Sequence, residues 1–110
     1  MIDVLDVAQP RTLAELWRTW GRVRTRKLFC AGCTDLLVLA KDGRVPAATW
    51  FDLSRIDELK RIEARRSAIW IGACVTYARI LDSALLAKHA RALVDSARAF
   101  GSPQIRTAAT

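Results

Sequence analysis

Apolar positions in this chain recur first with a helical period. Leu13, Leu16, Trp17 and Trp20 fall three and four residues apart, on one face of a helix. Thr12 followed by Glu15 has the capping-box spacing, in which a hydroxyl and a carboxylate each satisfy a backbone N–H at a helix start. Gly21 is placed to close that helix. The basic stretch Arg22 to Lys27 reads as a connection, and Leu28-Phe29-Cys30 as a short buried strand. A second helix is expected from Thr34 to about Lys41, with Thr34 or Asp35 as its cap and Asp42-Gly43 as its end. Thr49 to Leu53 is aromatic and β-branched enough for a strand, with Ser54 and Asp57 as turn material. Ile69 to Gly72 predicts another strand, while Leu59 to Ala64 fits a short strand or a helical turn equally well. Thr76 caps a short helix through Leu81. Asp82 or Ser83 then opens a long helix whose stripe Leu86, Ala90, Leu93, Val94 and Ala97 keeps the helical period to Phe100. Gly101 and Pro103 form a stop signal, and Gln104 to Thr110 has no pattern of its own.

Strands alternating with helices predict an α/β (α+β) domain, and no repeat, low-complexity run or linker divides residues 1–110. A length of 110 residues with 52% hydrophobic composition suits one small domain with one core. Charges such as Lys41, Asp42 and Arg44 interrupt every apolar run, so a membrane span is not expected. The start Met1-Ile2-Asp3-Val4-Leu5-Asp6 lacks the features of a secretory signal, which makes the cytoplasm the expected compartment. The net charge of +7 favours polyanions in general, but the arginines are spread along the chain, and nucleic acid is not the expected partner. Three cysteines, Cys30, Cys33 and Cys74, do not suit a disulfide framework and are too few for a four-thiolate iron–sulfur site.

The stretch that invites chemistry runs from Leu28 to Leu37: a strand, a tight turn of small residues, and a helix start. Gly32 lets backbone approach a ligand, and N–H groups at the start of the following helix are suited to phosphate. The same residues also serve as a plain strand-to-helix connection. Cys30 and Cys33 form a C-x-x-C at that junction, the position of a thioredoxin-like redox pair. Pro46 and Pro103 do not fall where that family places its proline, and zinc would require His89 and Cys74 as weak further ligands. Cys74 reads as a small buried hydrophobe, His89 as a surface residue, and Asp57 and Glu58 as solvated turn residues. No nucleophile–base constellation is present, so no catalytic residue is assigned within the chain. A small thiol redox protein and a non-enzymatic interaction module are the alternative functional readings.

An ordered set of segments carries a resemblance. Pro10 to Leu16, Ala31-Gly32-Cys33-Thr34-Asp35-Leu36-Leu37, Asp52 to Ile56 with Glu58-Leu59, Ile71-Gly72-Ala73 with Val75-Thr76, and Gly101 to Arg106 follow one another along nearly the whole chain. Together they resemble the start of the flavin-binding medium subunit of the xanthine dehydrogenase and carbon monoxide dehydrogenase family, whose flavin loop reads Ala-Gly-Gly-Thr-Asp-Leu-Leu. The resemblance implies the first FAD-binding subdomain of a vanillyl-alcohol-oxidase (PCMH-like) flavoprotein fold. It implies FAD as the cofactor, with the molybdenum cofactor and 2Fe–2S clusters carried by partner subunits of a hetero-oligomer. Electrons would pass from the iron–sulfur clusters through FAD to NAD or another acceptor. By the same resemblance Phe29, Cys30, Ala31, Gly32, Cys33, Thr34, Asp35 and Leu36 line the pyrophosphate, Phe100 lies near the flavin, and Thr110 begins the second flavin-contacting loop.

Two departures accompany it. Cys33 stands where the family loop has its second Gly, and Thr107-Ala108 where it usually has Asn-Arg. In the family the segment at Gln104 to Thr110 reads on into Ile-Gly-Gly-Asn, followed by a second flavin subdomain and a C-terminal domain. The expectation is an incomplete subdomain that binds flavin weakly or not at all alone, because half the contacts must still offset the cost of association.

Overall fold

The computed structural model describes residues 2–110, and among them five strands and six α-helices alternate as far as the third strand, after which a hairpin and four consecutive helices follow. They fall into two compact units, Met1–Glu58 and Leu59–Thr110, where the sequence pattern draws no boundary. The division follows from the sheets, since each unit closes its own strand ladder and fills its own core.

The first unit is a three-stranded parallel sheet in the order β1-β3-β2 (β1, Val4–Ala8; β2, Lys27–Cys30; β3, Ala48–Asp52), with α1 (Leu13–Arg22) and α2 (Leu36–Lys41) in the connections. The central strand has Ala48, Thr49, Trp50 and Phe51 all buried, as a strand covered on both faces requires. Side-chain alternation sorts the two faces. Phe51 and Phe29 meet Trp20 of α1, with ring centroids 4.9 and 4.5 Å away. Ala48 and Trp50 instead pack with Leu28, Cys30, Leu36 and Ala40 around α2.

Thr12 caps α1 as expected, its Oγ1 accepting from the Glu15 N–H at 3.1 Å. The Glu15 carboxylate accepts from Arg11 N–H at 2.9 Å, one residue earlier than the capping-box pattern predicts. Gly21 lies inside the helix, which runs on to Arg22 with Val23 as its cap, so no left-handed glycine closes it. Glu58 is an exposed turn residue, as expected, and it has a further role: its Oε2 accepts from Leu13 N–H at 2.8 Å and satisfies another donor of that helix start. The strand β1 has no counterpart in the sequence reading.

In the second unit the undecided segment resolves as a 3₁₀ turn (Asp57–Lys60) that straddles the division, followed by β4 (Ile62–Arg65). β4 pairs antiparallel with β5 (Ala68–Ile71) through the two-residue connection Arg66-Ser67. Helices α3 (Tyr77–Leu81), α4 (Ala84–His89), α5 (Arg91–Ala99) and α6 (Pro103–Ala108) complete the unit. Thr76 and Ser83 cap α3 and α4 through N–H groups of Arg79 and Leu86. The long helix expected from Ser83 to Phe100 is two helices, broken at Ala90 with φ −139° and ψ 49°. Leu86, Val94 and Ala97 nevertheless enter one core with Val75 and Ile80, and Ala90 packs against it, so the apolar stripe crosses the break, with Leu93 alone of its members left exposed. Gln104 to Ala108, patternless in the sequence, are helical: Gly101 at φ 58° ends one segment, and Ser102 caps the next with Pro103 in its first turn.

Candidate functional site: the loop between β2 and α2

All three parallel strands of the first unit end at one edge of the sheet, and in open α/β sheets the carboxyl ends of the strands are where ligands bind. Two strand-to-helix junctions open there. At the β1–α1 junction the N–H groups of Arg11, Leu13 and Glu15 are taken by Glu15, Glu58 and Thr12 oxygens. Two carboxylates, those of Glu15 and Glu58, already sit on that helix start, and their negative charge repels an anion there.

The β2–α2 junction is different. Cys30 ends β2 in register with Asp52, its carbonyl accepting from Leu53 N–H at 2.8 Å. The backbone bends at Ala31 and Gly32, and Cys33 takes the left-handed conformation at φ 57°. Its carbonyl then accepts from Leu37 N–H at 3.2 Å, anchoring the far end of the loop. Thr34 and Asp35 form a turn into α2, and Asp35 makes no side-chain cap bond. Among the described residues, the backbone N–H groups of Ala31, Gly32, Cys33 and Thr34 donate to no other group. Four partly exposed donors in sequence, with both ends of their loop pinned, form a backbone cradle for anionic oxygens. Because α2 has only six residues, this capacity belongs to the loop and owes little to a helix dipole.

The eight positions from Phe29 to Leu36 thus form one continuous feature. Phe29 is half-exposed, stacked on Trp20 with Trp17 at its edge, 6.3 Å between centroids. Phe100 and Thr110 belong to the second unit. There Phe100 stacks on Tyr77 at 4.2 Å and 19°, and Thr110 is an exposed residue following Ala109, whose carbonyl accepts from Tyr77 N–H.

Sequence reasoning missed the neighbouring strand ends. Gln9, just past β1, donates from its amide to Asp52 Oδ2 at 3.0 Å, and Ser54 N–H donates to Oδ1 at 2.9 Å. Burial pushes the Asp52 carboxyl up. The Ser54 side chain and backbone N–H, then Gln9 and the charge of Arg55, outweigh it and hold the pKa below the ordinary value. Asp52 is therefore an ionised brace between strand ends. An acidic residue closing an apolar strand was the available signal.

The second unit holds a separate cavity of about 520 Å³ lined by Arg66, Ser67, Ile69, Leu85 and His89 among others. None of the sequence-predicted site residues lines it. Among the described residues, no group of three or more His, Cys, Asp or Glu is placed to hold a metal ion, and no helix is long and apolar enough to cross a membrane.

A parallel sheet with an open small-residue loop at its carboxyl edge defines an α/β unit of the open-sheet class. A family profile described as the FAD binding domain in molybdopterin dehydrogenase matches residues 3–110, and the chain belongs to that family. It is 35% identical over 80 residues to the nicotinate dehydrogenase FAD-subunit of Eubacterium barkeri, an alignment covering 73% of this chain and 27% of that protein. By fold it is similar to a carbon monoxide dehydrogenase chain from Hydrogenophaga pseudoflava, with a TM-score of 0.90, 23% identity and coverage of 100% of this chain and 38% of that one. Quinoline 2-oxidoreductase from Pseudomonas putida 86 gives a TM-score of 0.86 at 23% identity, over 96% of this chain and 36% of that one. The chain thus spans well under half the length of these relatives. Its fold is the expected one, that of the FAD-binding domains of molybdenum hydroxylase-type dehydrogenases.

Proposed function

We propose that the chain binds the pyrophosphate of FAD through the backbone N–H groups of Ala31, Gly32, Cys33 and Thr34, as part of the flavin subunit of a molybdenum hydroxylase-type oxidoreductase. The observation that carries this reading is the contrast between the two junctions. The β1–α1 junction has three donors taken by side-chain oxygens and carries two carboxylates that repel an anion, while the β2–α2 loop keeps four donors in sequence open with no carboxylate bonded to them. Cys30 and Leu36 frame the loop, Phe29 offers a half-exposed ring beside it, and Asp35 at its rim is exposed to water. Phe100 and Thr110 are the proposed flavin contacts of the second unit.

Bound FAD supplies an isoalloxazine that takes up and releases electrons one or two at a time. The task of this polypeptide is to hold and orient that cofactor. In this reading its partners are a molybdenum-cofactor subunit and an iron–sulfur subunit, electrons reach the flavin from the iron–sulfur clusters and leave to NAD or another acceptor, and the assembly works in the cytoplasm. The contacts of this chain alone hold FAD weakly, because few of them are available to offset the cost of association.

The test is an NMR titration of the ¹⁵N-labelled chain with FAD, which registers weak binding and locates it. The amides of Ala31, Gly32, Cys33 and Thr34 are expected to shift saturably with FAD and to stay unmoved by riboflavin, which lacks phosphate. Shifts confined to other amides, or equal responses to the two ligands, would overturn the assignment of this loop.

A further inference from the structure

Cys30 and Cys33 bracket the proposed pyrophosphate loop, and the reading above gives their thiols no task. Three observations bear on them as a pair. The strand alternation turns Cys30 onto the sheet face covered by α2, where it packs with Leu28, Leu36, Ala40 and Trp50. Cys33 stands at the start of that same helix connection, three residues before Leu36. The chain between them does not run straight but bends at both Ala31 and Gly32. Fully extended, three residue steps span roughly 10 Å. The two bends make the span shorter than that, and a disulfide closes where Cα atoms lie roughly 4.4–6.8 Å apart. Both residues are thiols in this structure and both are partly exposed, whereas Cys74 is buried at 5% exposure in the core of the second unit.

We propose that Cys30 and Cys33 are a redox-active dithiol whose conversion to a disulfide releases FAD from the loop between them; this rests on the pyrophosphate-loop reading. The oxidant is a low-molecular-weight disulfide of the glutathione type. One protein thiolate attacks it and expels a glutathione thiol, and the second protein thiolate then attacks the mixed disulfide and expels another. Overall, two protein S–H bonds are lost, one S–S bond forms, and the two electrons and two protons leave on two glutathione molecules. The consequence for FAD follows from the loop's size. Only Ala31 and Gly32 separate the cysteines, so a bond between them re-sets the peptides whose N–H groups form the cradle. Cys33 supplies one of the four donors itself, and closure of the ring pulls on its left-handed backbone. Linkage makes the effect reciprocal: if oxidation weakens FAD binding, bound FAD disfavours oxidation by the same factor.

The experiment treats the reduced chain with glutathione disulfide, with and without FAD, and maps the product by peptide mass spectrometry. It then repeats the NMR titration on the reduced and oxidised forms. The expected product is a Cys30–Cys33 bond with Cys74 untouched, formed more slowly when FAD is present. The oxidised chain is expected to bind FAD about tenfold more weakly, a factor within the ordinary range for coupled sites. Cys33→Gly, whatever its own affinity for FAD, is expected to form no internal bond and to stop at a mixed disulfide of Cys30 with glutathione. In the parent chain, stable glutathione adducts without an internal bond would overturn the dithiol, and equal FAD binding by the two redox forms would overturn its control of the loop. A disulfide that forms normally in a chain whose loop amides ignore FAD in both states would instead sink the pyrophosphate reading, and with it the link to FAD.

Discussion

Replacing Gly72 with alanine tests the tightest backbone approach in the second unit. Gly72 follows β5 and crosses the end of the 3₁₀ turn. Its N–H donates to the Arg61 carbonyl at 2.9 Å, and the Leu59 carbonyl accepts from Cys74 N–H at 2.9 Å. A Cβ on residue 72 would stand 2.1 Å from the Leu59 carbonyl oxygen and 2.4 Å from its carbon. Ordinary carbon contacts lie near 3.5–4.0 Å, so the two segments must part by about 1 Å or more. That separation breaks the Cys74–Leu59 hydrogen bond, at about 1 kcal/mol. It also strains the packing of buried Cys74 and Val75, adding about 1–3 kcal/mol. The expected loss is therefore about 2–4 kcal/mol, large for one methyl group. Gly21→Ala is the control, because nothing lies within 4 Å of its added Cβ and it sits in α1. There the same change is expected to stabilise by about 0.5 kcal/mol through helix propensity. Urea unfolding followed by circular dichroism measures both. With a denaturant slope of about 1.5 kcal/mol/M, Gly72→Ala lowers the midpoint by about 2 M and Gly21→Ala raises it slightly. A Gly72→Ala protein within about 0.5 kcal/mol of the parent would refute the close approach.

Asp52→Asn probes the brace between strand ends. Because folding lowers the Asp52 pKa, its contribution to stability is present above the ordinary carboxylate range and is lost as pH falls through the folded pKa. The variant should be about 1 kcal/mol less stable than the parent at neutral pH, with the gap closing below about pH 4; a gap independent of pH contradicts the charged hydrogen bonds. Arg66 turns the β4–β5 connection at φ 52°, so Arg66→Gly is expected to raise the unfolding midpoint by an amount worth about 1 kcal/mol. A lowered midpoint would show that the side chain contributes more than its backbone costs.

What the sequence made legible is largely what is local. Thr12, Thr76 and Ser83 each reach an N–H three residues on, and such spacing can be read without knowing anything else about the fold. The loop from Phe29 to Leu36 was readable for the same reason, since all its parts are contiguous. Strand β1 was not, because Asp6 interrupts a short apolar run whose only justification is pairing with distant Ala48–Phe51. The Gln9–Asp52 contact is likewise a product of the ladder. The break at Ala90 stayed hidden because both helices turn their apolar stripe to one core, leaving the periodicity continuous. At Gly101 to Pro103 the misreading was of another kind: the residues that end one helix also begin the next, and only the first meaning was taken.

The strand order β1-β3-β2 also sets a timetable for the nascent chain. The two outer strands are made first, and neither has a neighbour to pair with until the middle one, ending at Asp52, has been synthesised. At about 5–20 residues per second, β1 waits several seconds beside the ribosome with Leu5 and Val7 unpaired. The second unit is under less delay: its hairpin joins adjacent strands, although α3 must wait for α5 and α6, on which it packs. Synthesis therefore loads the hazard of aggregation onto the stretch from β1 to β2, until β3 has been made.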